Sequence, residues 1–362
     1  MPPVHVIFIR HRVSWGSVSK EQIDGYAVNR RLRIAALLSL LLVILPLGQA
    51  HAARYKVCDS VPTSDLTVNV KAFGAKGDGR TDDTKAIQRA INKVAGTGGT
   101  VYVPPGTYRV HAVSGNRLTL RSNMTFKMTN DTVLKMFPTD KKNYSVLRIL
   151  NAHDVTVKGG TLVGDRNNHK GRGGEWGMGI FILEGSKRIT ISNVRAKNMW
   201  GDGFHVTDAE DVALCRIQAE GNRRQGLSII KGNRILVTRS VFRDTHGTRP
   251  GAGIDLEPDR PDQTISNVRI ERSKFINNEG GGVMIAGKKA QVSRVQIQNN
   301  EFDGARPLLI EYAPRVAESQ ICGNRYKPFQ RIDKKMFEKV SRPRHTIGMQ
   351  MPCDGRAQKR LW

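Results

Sequence analysis

Five glycine-led segments of this chain share one pattern: Gly179-Ile180-Phe181-Ile182, Gly203-Phe204-His205-Val206, Gly226-Leu227-Ser228-Ile229, Gly253-Ile254-Asp255-Leu256 and Gly282-Val283-Met284-Ile285. Their glycines lie 24, 23, 27 and 29 residues apart. Between them runs a second series: Ile189-Thr190-Ile191, Val212-Ala213-Leu214, Ile235-Leu236-Val237, Val268-Arg269-Ile270 and Val295-Gln296-Ile297. Two or three short alternating strands per period of this length describe a β-solenoid. Each coil buries every second side chain in a narrow core, and neighbouring coils satisfy its backbone groups. Phe242, Phe275 and Phe302 recur at one phase of successive coils and are expected to stack inside.

The open end of such a stack is an unpaired sheet edge that must be covered. Ahead of the repeat, Thr81, Asp82 and Asp83 offer acceptors for a helix N-terminus, and Ala86, Ile87, Ala90, Ile91 and Val94 mark one apolar helical face. Gly96 supplies the stop. This helix, over about residues 81–95, is the expected N-terminal cap. Strands at Val101-Tyr102-Val103 and 107–110 flank a Pro104-Pro105-Gly106 turn. The expected fold is all-β: a right-handed, single-stranded parallel β-helix with a short capping helix. It is assigned to residues 53–325, followed by a basic tail over 326–362 packed on or trailing the last coil.

Compartment is read from the N-terminus. Arg30, Arg31 and Arg33 precede an apolar run over 34–47 and the small-x-small triplet Ala50-His51-Ala52, the order of a secretory signal peptide. Residues 1–52 are the expected leader; 1–27 fit no signal-peptide logic, which makes Val28 a candidate alternative start. The apolar run is short for a membrane span, so no stable insertion is expected after cleavage. The expected location is secreted or periplasmic. Net charge is +26, of which +22 stays on residues 53–362. An excess of that size attracts a polyanion: nucleic acid, anionic membrane or uronic-acid polymer. Export, and the lack of an aromatic-basic recognition motif, argue against nucleic acid.

Export also permits disulfides among Cys58, Cys215, Cys322 and Cys353. Cys322 and Cys353 are placed to staple the tail to the last coil, whereas Cys215, inside a strand, is expected to be a free thiol. The cysteines lack metal-ligand spacing, and no metal or cofactor is assigned. A calcium site assembled across coils would escape a linear pattern.

The opening Val70-Lys71-Ala72-Phe73-Gly74-Ala75-Lys76-Gly77-Asp78-Gly79-Arg80-Thr81-Asp82-Asp83-Thr84, with Ala86-Ile87-Gln88 and Gly99-Thr100-Val101-Tyr102-Val103-Pro104-Pro105-Gly106-Thr107-Tyr108, resembles that of the pectate-lyase-like superfamily. That group includes family 28 glycoside hydrolases, rhamnogalacturonases, phage tailspikes and mannuronan C5-epimerases. The resemblance covers roughly residues 66–325 and implies the β-helix, with carbohydrate as the substrate class. Family 28 enzymes carry Asn-Thr-Asp, Asp-Asp, Gly-His-Gly and Arg-x-Lys on successive coils. Here Gly201-Asp202-Gly203 echoes the first, while Asn222-Arg223-Arg224-Gln225-Gly226 and Gly253-Ile254-Asp255-Leu256-Glu257-Pro258 replace the others. Mannuronan epimerases carry Asp-Pro-His after an aromatic; Phe204-His205-Val206-Thr207-Asp208 holds the aromatic, the His and an acid in another order.

Alternation places the candidate chemistry. With Phe204, Leu227, Ile254 and Val283 inward, His205, Ser228, Asp255 and Met284 form one outward column, and Thr207, Ile230, Glu257 and Ala286 the next. Asp202, Arg223, Arg224 and Gln225 fall at the turn leading into these strands. Asp255 and Glu257 are two residues apart on one face, ~6.6 Å between Cα atoms. That is the lower edge of the ~6.5–9.5 Å carboxyl separation of inverting glycosidases, with Asp202 an alternative partner. His205 is placed to tune or replace the acid. Arg223, Arg224 and Gln225 are expected to bind substrate, the arginines through a uronate carboxylate, and Trp176 and Trp200 to form a sugar-stacking wall. His205, Ser228 and Asp255 do not form a hydrolase triad, because Ser lies between His and Asp.

Three functional classes remain. The leading one is cleavage of glycosidic bonds in an acidic, uronate-containing polysaccharide by a carboxylate pair. The second is a uronan lyase or C5-epimerase, with His205 as base and Arg224 as cation. The third is a noncatalytic polysaccharide-binding solenoid.

Overall fold

The capping helix forms as its apolar face dictates. In the computed structural model, α1 spans Thr84–Val94, with Ala86, Ile87, Ala90, Ile91 and Val94 all buried. Asp82 Oδ1 accepts from the Thr84 backbone N–H at 3.0 Å. Asp83 instead turns away from the helix and accepts from the backbone N–H groups of Lys76 and Gly77, pinning the preceding turn. The structure describes Cys58, residues 62–327 except 114, 287–289, 305–307 and 311–314, and Ile347–Gln350. All of these belong to one unit, Ala53–Trp362. The leader assigned to 1–52, most of the tail and Cys353 lie outside the described residues.

Beyond α1 the chain winds into the right-handed parallel β-helix expected from the repeat, about nine turns long. Each coil has three facets. On the first, Arg148, Phe181, His205, Ser228, Asp255 and Met284 pair rung to rung. On the second, Val155, Ile189, Val212, Ile235, Val268 and Val295 do so. The third carries Leu162, Ala196, Ala219, Phe242, Phe275 and Phe302 in one column. The strands Phe204–Cys215 and Leu227–Thr238 run through the corner unbroken, joining the first two facets into one sheet.

The core is a stack of like on like. Phe242, Phe275 and Phe302 lie ring on ring at 5.3 and 4.8 Å, and Tyr326 extends the stack at 5.4 Å. The third-facet pattern thus positions aromatic rings as the alternation predicted.

Corners between facets are made by residues in the left-handed region. Between the first and second facets one column of these is Asp154, Arg188, Asp211, Arg234, Asn267, Arg294 and Glu318, with φ from 51° to 57°. A Cβ there costs roughly 1–2 kcal/mol, and side chains on adjacent coils offset part of it. Arg188 Nε donates to Asp154 Oδ1 at 2.8 Å, Arg234 Nε to Asp211 Oδ1 at 2.6 Å, and Arg294 Nε to Asn267 Oδ1 at 2.8 Å. Acid and base alternate along most of this column.

Cys215 is not a free thiol. It is bonded to Cys58, a separation of 157 residues, and ties the segment before the first strand to the outer side of the second facet. The alternation rule sees only that Cys215 faces away from the core, and pairing depends on what lies across that face. Cys322 is also disulfide-bonded.

Candidate functional site

The first facet brings most of the predicted residues into one cluster. Asp202 sits at the turn before Phe204–Cys215, and its Oδ2 is the hub. His205 Nδ1 lies 2.9 Å from it, Ser228 Oγ donates to it at 2.9 Å, and Arg224 Nη1 at 3.3 Å. Arg224 reaches on to Glu257 Oε2 through Nη2 at 2.7 Å, and its Nε lies 3.8 Å from Glu175 Oε2. Gln225 Nε2 donates to Asp255 Oδ2 at 2.7 Å while its Oε1 accepts from the Ala252 backbone N–H at 2.9 Å. One turn residue thereby locks the Asp255 carboxyl to the preceding coil.

The outward column does point away from the core, yet most of it is covered. Asp202, Ser228, Gln225 and Asp255 are fully buried, and His205 and Arg224 nearly so. Alternation gives direction only; the turn residues folded over this face supply the cover. Met284 is also buried, beside Ala252 and Ala286. The second column is interrupted: Thr207 pairs with Lys231, and Ile230 is the extra residue of a bulge. Glu257 keeps its place, its backbone N–H donating to the Ile229 carbonyl. Its side chain is 20% exposed against 0% for Asp255, so of the two carboxyls only Glu257 reaches the surface.

Trp176 is the exposed element of the rim, at 46%. Its ring centroid lies 6.4 Å from that of His205, and Phe181 meets His205 edge-on at 4.9 Å. Phe181 was missed as a site residue, although it stands in the same outward column one coil before His205. Trp200 and Arg223 lie outside this cluster. Trp200 is sandwiched between His169, stacked at 4.0 Å, and the Arg223 guanidinium at 3.9 Å. Trp200 Nε1 donates to the Gly173 carbonyl, and Arg223 Nη1 to that of Gly174. The pair therefore fastens the segment leading to Glu175 and Trp176. A buried Asp165–His169 contact at 2.7 Å underlies it, a feature with no motif to announce it.

Charge in the cluster is unequal. Burial opposes ionisation of Arg224, but Asp202, Glu257 and Glu175 outweigh it and hold the guanidinium firmly protonated. Burial, reinforced by Glu257, pushes the Asp255 carboxyl well above the usual carboxylate range despite Arg224 nearby. Burial raises Glu257 as well, against Arg224. Among the described residues no group of three or more His, Cys, Asp or Glu could hold a metal ion.

A pH effect follows. A carboxyl whose folded pKa lies above its unfolded value, about 3.9 for Asp, contributes stability at low pH that is lost as pH rises through the folded pKa. Asp255→Asn removes that loss. Its melting temperature should therefore gain on the unmodified protein over the range above about pH 4. Thermal scans showing a constant difference across that range would mean that Asp255 is ionised throughout.

Parts of the chain are similar in sequence to known proteins. Alginate lyase 7 from Azotobacter vinelandii is 41% identical over 117 residues, which cover 29% of this chain and 14% of that protein. Mannuronan C5-epimerase AlgE5 from the same organism is 38% identical over 151 residues, covering 38% of this chain and 15% of that protein. The chain thus spans only a small part of each relative's length. In structure, the A-module of the Azotobacter vinelandii mannuronan C-5 epimerase AlgE4 superposes with a TM-score of 0.51 at 22% identity, over 79% of this chain and 92% of the module. That likeness is one of fold. The chain belongs to the rhamnogalacturonase A/epimerase, pectate lyase-like family, which it matches over residues 67–306.

Proposed function

We propose that the chain modifies a uronate-containing polysaccharide by removing the proton next to the uronate carboxyl, as a lyase or C5-epimerase. The observation that supports this most is the Asp202–His205 hydrogen bond beside the exposed Trp176. With Nδ1 donating to Asp202, the neutral ring keeps its lone pair on Nε2, which has no hydrogen bond among the described residues. A sugar stacked on Trp176 would present its ring to that nitrogen. Arg224, held protonated, would stabilise the enediolate charge on the uronate carboxyl. In elimination, His205 takes the proton from the carbon, the C–H electrons form the double bond, and the glycosidic oxygen leaves with the bond pair. Glu257, raised and partly exposed, would protonate that oxygen. Epimerisation returns a proton to the opposite face of the carbon instead.

The relatives named alginate lyase and mannuronan epimerase favour this class over hydrolysis. Hydrolysis by Asp255 and Glu257 is the second reading, favoured by their raised carboxyls, but Gln225 already holds the Asp255 carboxyl at 2.7 Å. The disulfide-bonded cysteines support an exported protein in an oxidising compartment. The protein should be incubated with mannuronan and a panel of other polyuronides. New absorbance in the unsaturated-uronate band identifies a lyase, and altered proton NMR at constant chain length an epimerase. New reducing ends without the band would establish hydrolysis and overturn the proposal. Binding with no turnover on any polymer would leave a noncatalytic solenoid.

A further inference from the structure

The guanidinium of Arg224 has one edge that is only half filled. Its Nη1 faces Asp202 Oδ2 at 3.3 Å and Ser228 Oγ at 3.5 Å. The edge formed by Nε and Nη2 is split. Nη2 donates to Glu257 Oε2 at 2.7 Å, whereas Nε is buried and without a hydrogen-bond partner among the described residues. Glu175 Oε2 stands 3.8 Å from that Nε, too far to accept. Two other arginines of the solenoid show what fills such an edge. Arg188 gives Nε and Nη2 to the two oxygens of Asp154 at 2.8 and 2.7 Å, and Arg234 gives the same pair to Asp211 at 2.6 and 2.9 Å. In each case one carboxylate lies across both nitrogens, the two-pronged geometry that suits a guanidinium best. Glu257 takes only one prong of Arg224, and the buried donor left over is costly.

The acids beside this edge can make way for another. Glu257 and Glu175 are both partly exposed, while Asp202, on the Nη1 side, is buried and held by His205 and Ser228. The Trp176 ring centroid lies 5.7 Å from the guanidinium carbon, so a sugar stacked on that ring carries its carboxylate within reach of Arg224. Charge decides what a released Glu257 does. Arg224 is what keeps a proton off it; burial, Asp259 and Asp202 favour the protonated form. Asp255 on the same strand and Glu175 beside the same guanidinium add no positive charge, and His205 is engaged with Asp202 through Nδ1. The next coil presents Met284 and Ala286, which are uncharged. A second carboxylate arriving on Arg224 removes the attraction and adds a repulsion.

We propose that a uronate carboxylate binds across Nε and Nη2 of Arg224 and displaces Glu257, which takes up a proton from solvent as it is released. One ion pair breaks, one forms, and the only new covalent bond is the O–H of Glu257. That proton is the one a leaving glycosidic oxygen needs, so the acid is made only where a uronate is in place. The inference rests on Arg224 as the uronate-binding cation of the proposed function; what it adds is the exchange, which a binding experiment reads without turnover. A short oligomannuronate should be titrated calorimetrically into His205→Asn, which is expected to bind without turnover and has no imidazole to titrate, in buffers of different ionisation enthalpy. Near neutral pH the heats should report uptake of up to about one proton per bound oligomer, and affinity should fall as pH rises, by up to about tenfold per unit. Adding Glu257→Gln should abolish the uptake, flatten the pH dependence and strengthen binding, because a neutral amide competes less for Arg224. Infrared difference spectra of His205→Asn with and without the oligomer should show a gained protonated-carboxyl band, a second readout should the double variant not fold. Buffer-independent heats, or uptake that persists in a folded Glu257→Gln protein, overturn the exchange. Uptake, with no polyuronide turned over by the unmodified protein, would leave the exchange standing and remove the lyase or epimerase reading. Turnover without uptake would do the reverse, and if no oligouronate binds, both fall.

Discussion

His205→Asn is expected to lower polyuronide turnover by about 10²- to 10⁴-fold, the usual contribution of a positioned acid or base. The substitution keeps more than it removes. An Asn amide can still donate to Asp202 Oδ2, so the hub that also receives Ser228 and Arg224 keeps its partners. What disappears is the lone pair on Nε2. The loss should fall on kcat, because in the proposed site Trp176 and Arg224 would still hold the sugar. Stability should shift by no more than ~1 kcal/mol, since the polar contact is replaced in kind. Steady-state kinetics with a melting curve on the same sample decides the matter. Full turnover in a folded His205→Asn protein would transfer the base role to Glu257, and Glu257→Gln would then become the inactive variant.

Phe275→Ala should be among the most destabilising single changes in the coil, costing about 3–5 kcal/mol. Phe275 is buried and has a ring stacked on each face, Phe242 at 5.3 Å and Phe302 at 4.8 Å. Truncation empties a ring-sized volume between coils that are fixed by their own backbone hydrogen bonds, so the walls cannot close in. Tyr326→Phe, at the end of the same stack and partly exposed, should cost far less. Denaturant unfolding followed by circular dichroism gives both values. Solenoids unfold with nearest-neighbour coupling, so the two curves should also be compared in shape. A Phe275→Ala cost below ~1 kcal/mol would mean that the coils repack around the gap.

The fold was legible because its signal is redundant. Ile180, Phe204, Leu227, Ile254 and Val283 each report the same inward position, and an error at one is outvoted by the rest. The candidate site was legible in membership but not in depth. His205, Ser228 and Asp255 stand in the predicted column, yet their burial depends on turns whose course no periodicity describes. The bulge at Ile230 shows the limit of the alternation rule, since one extra residue shifts Thr207 opposite Lys231 without any sign in the repeat. The Cys58–Cys215 bond and the His169–Trp200–Arg223 sandwich join residues far apart in sequence, and only the folded chain brings them together.

The alternating corner of Asp154, Arg188, Asp211 and Arg234 gives this solenoid a parity. The backbone repeats every coil, but along that edge the charge repeats every second coil. Excising the coil that carries Asp211 would set Arg188 against Arg234, replacing an attraction with a repulsion of like sign. Excising two neighbouring coils would restore acid facing base. Asn267 then acts as a neutral joint, a place where the sequence of signs can restart and where a lengthened or shortened helix would meet the least electrostatic resistance.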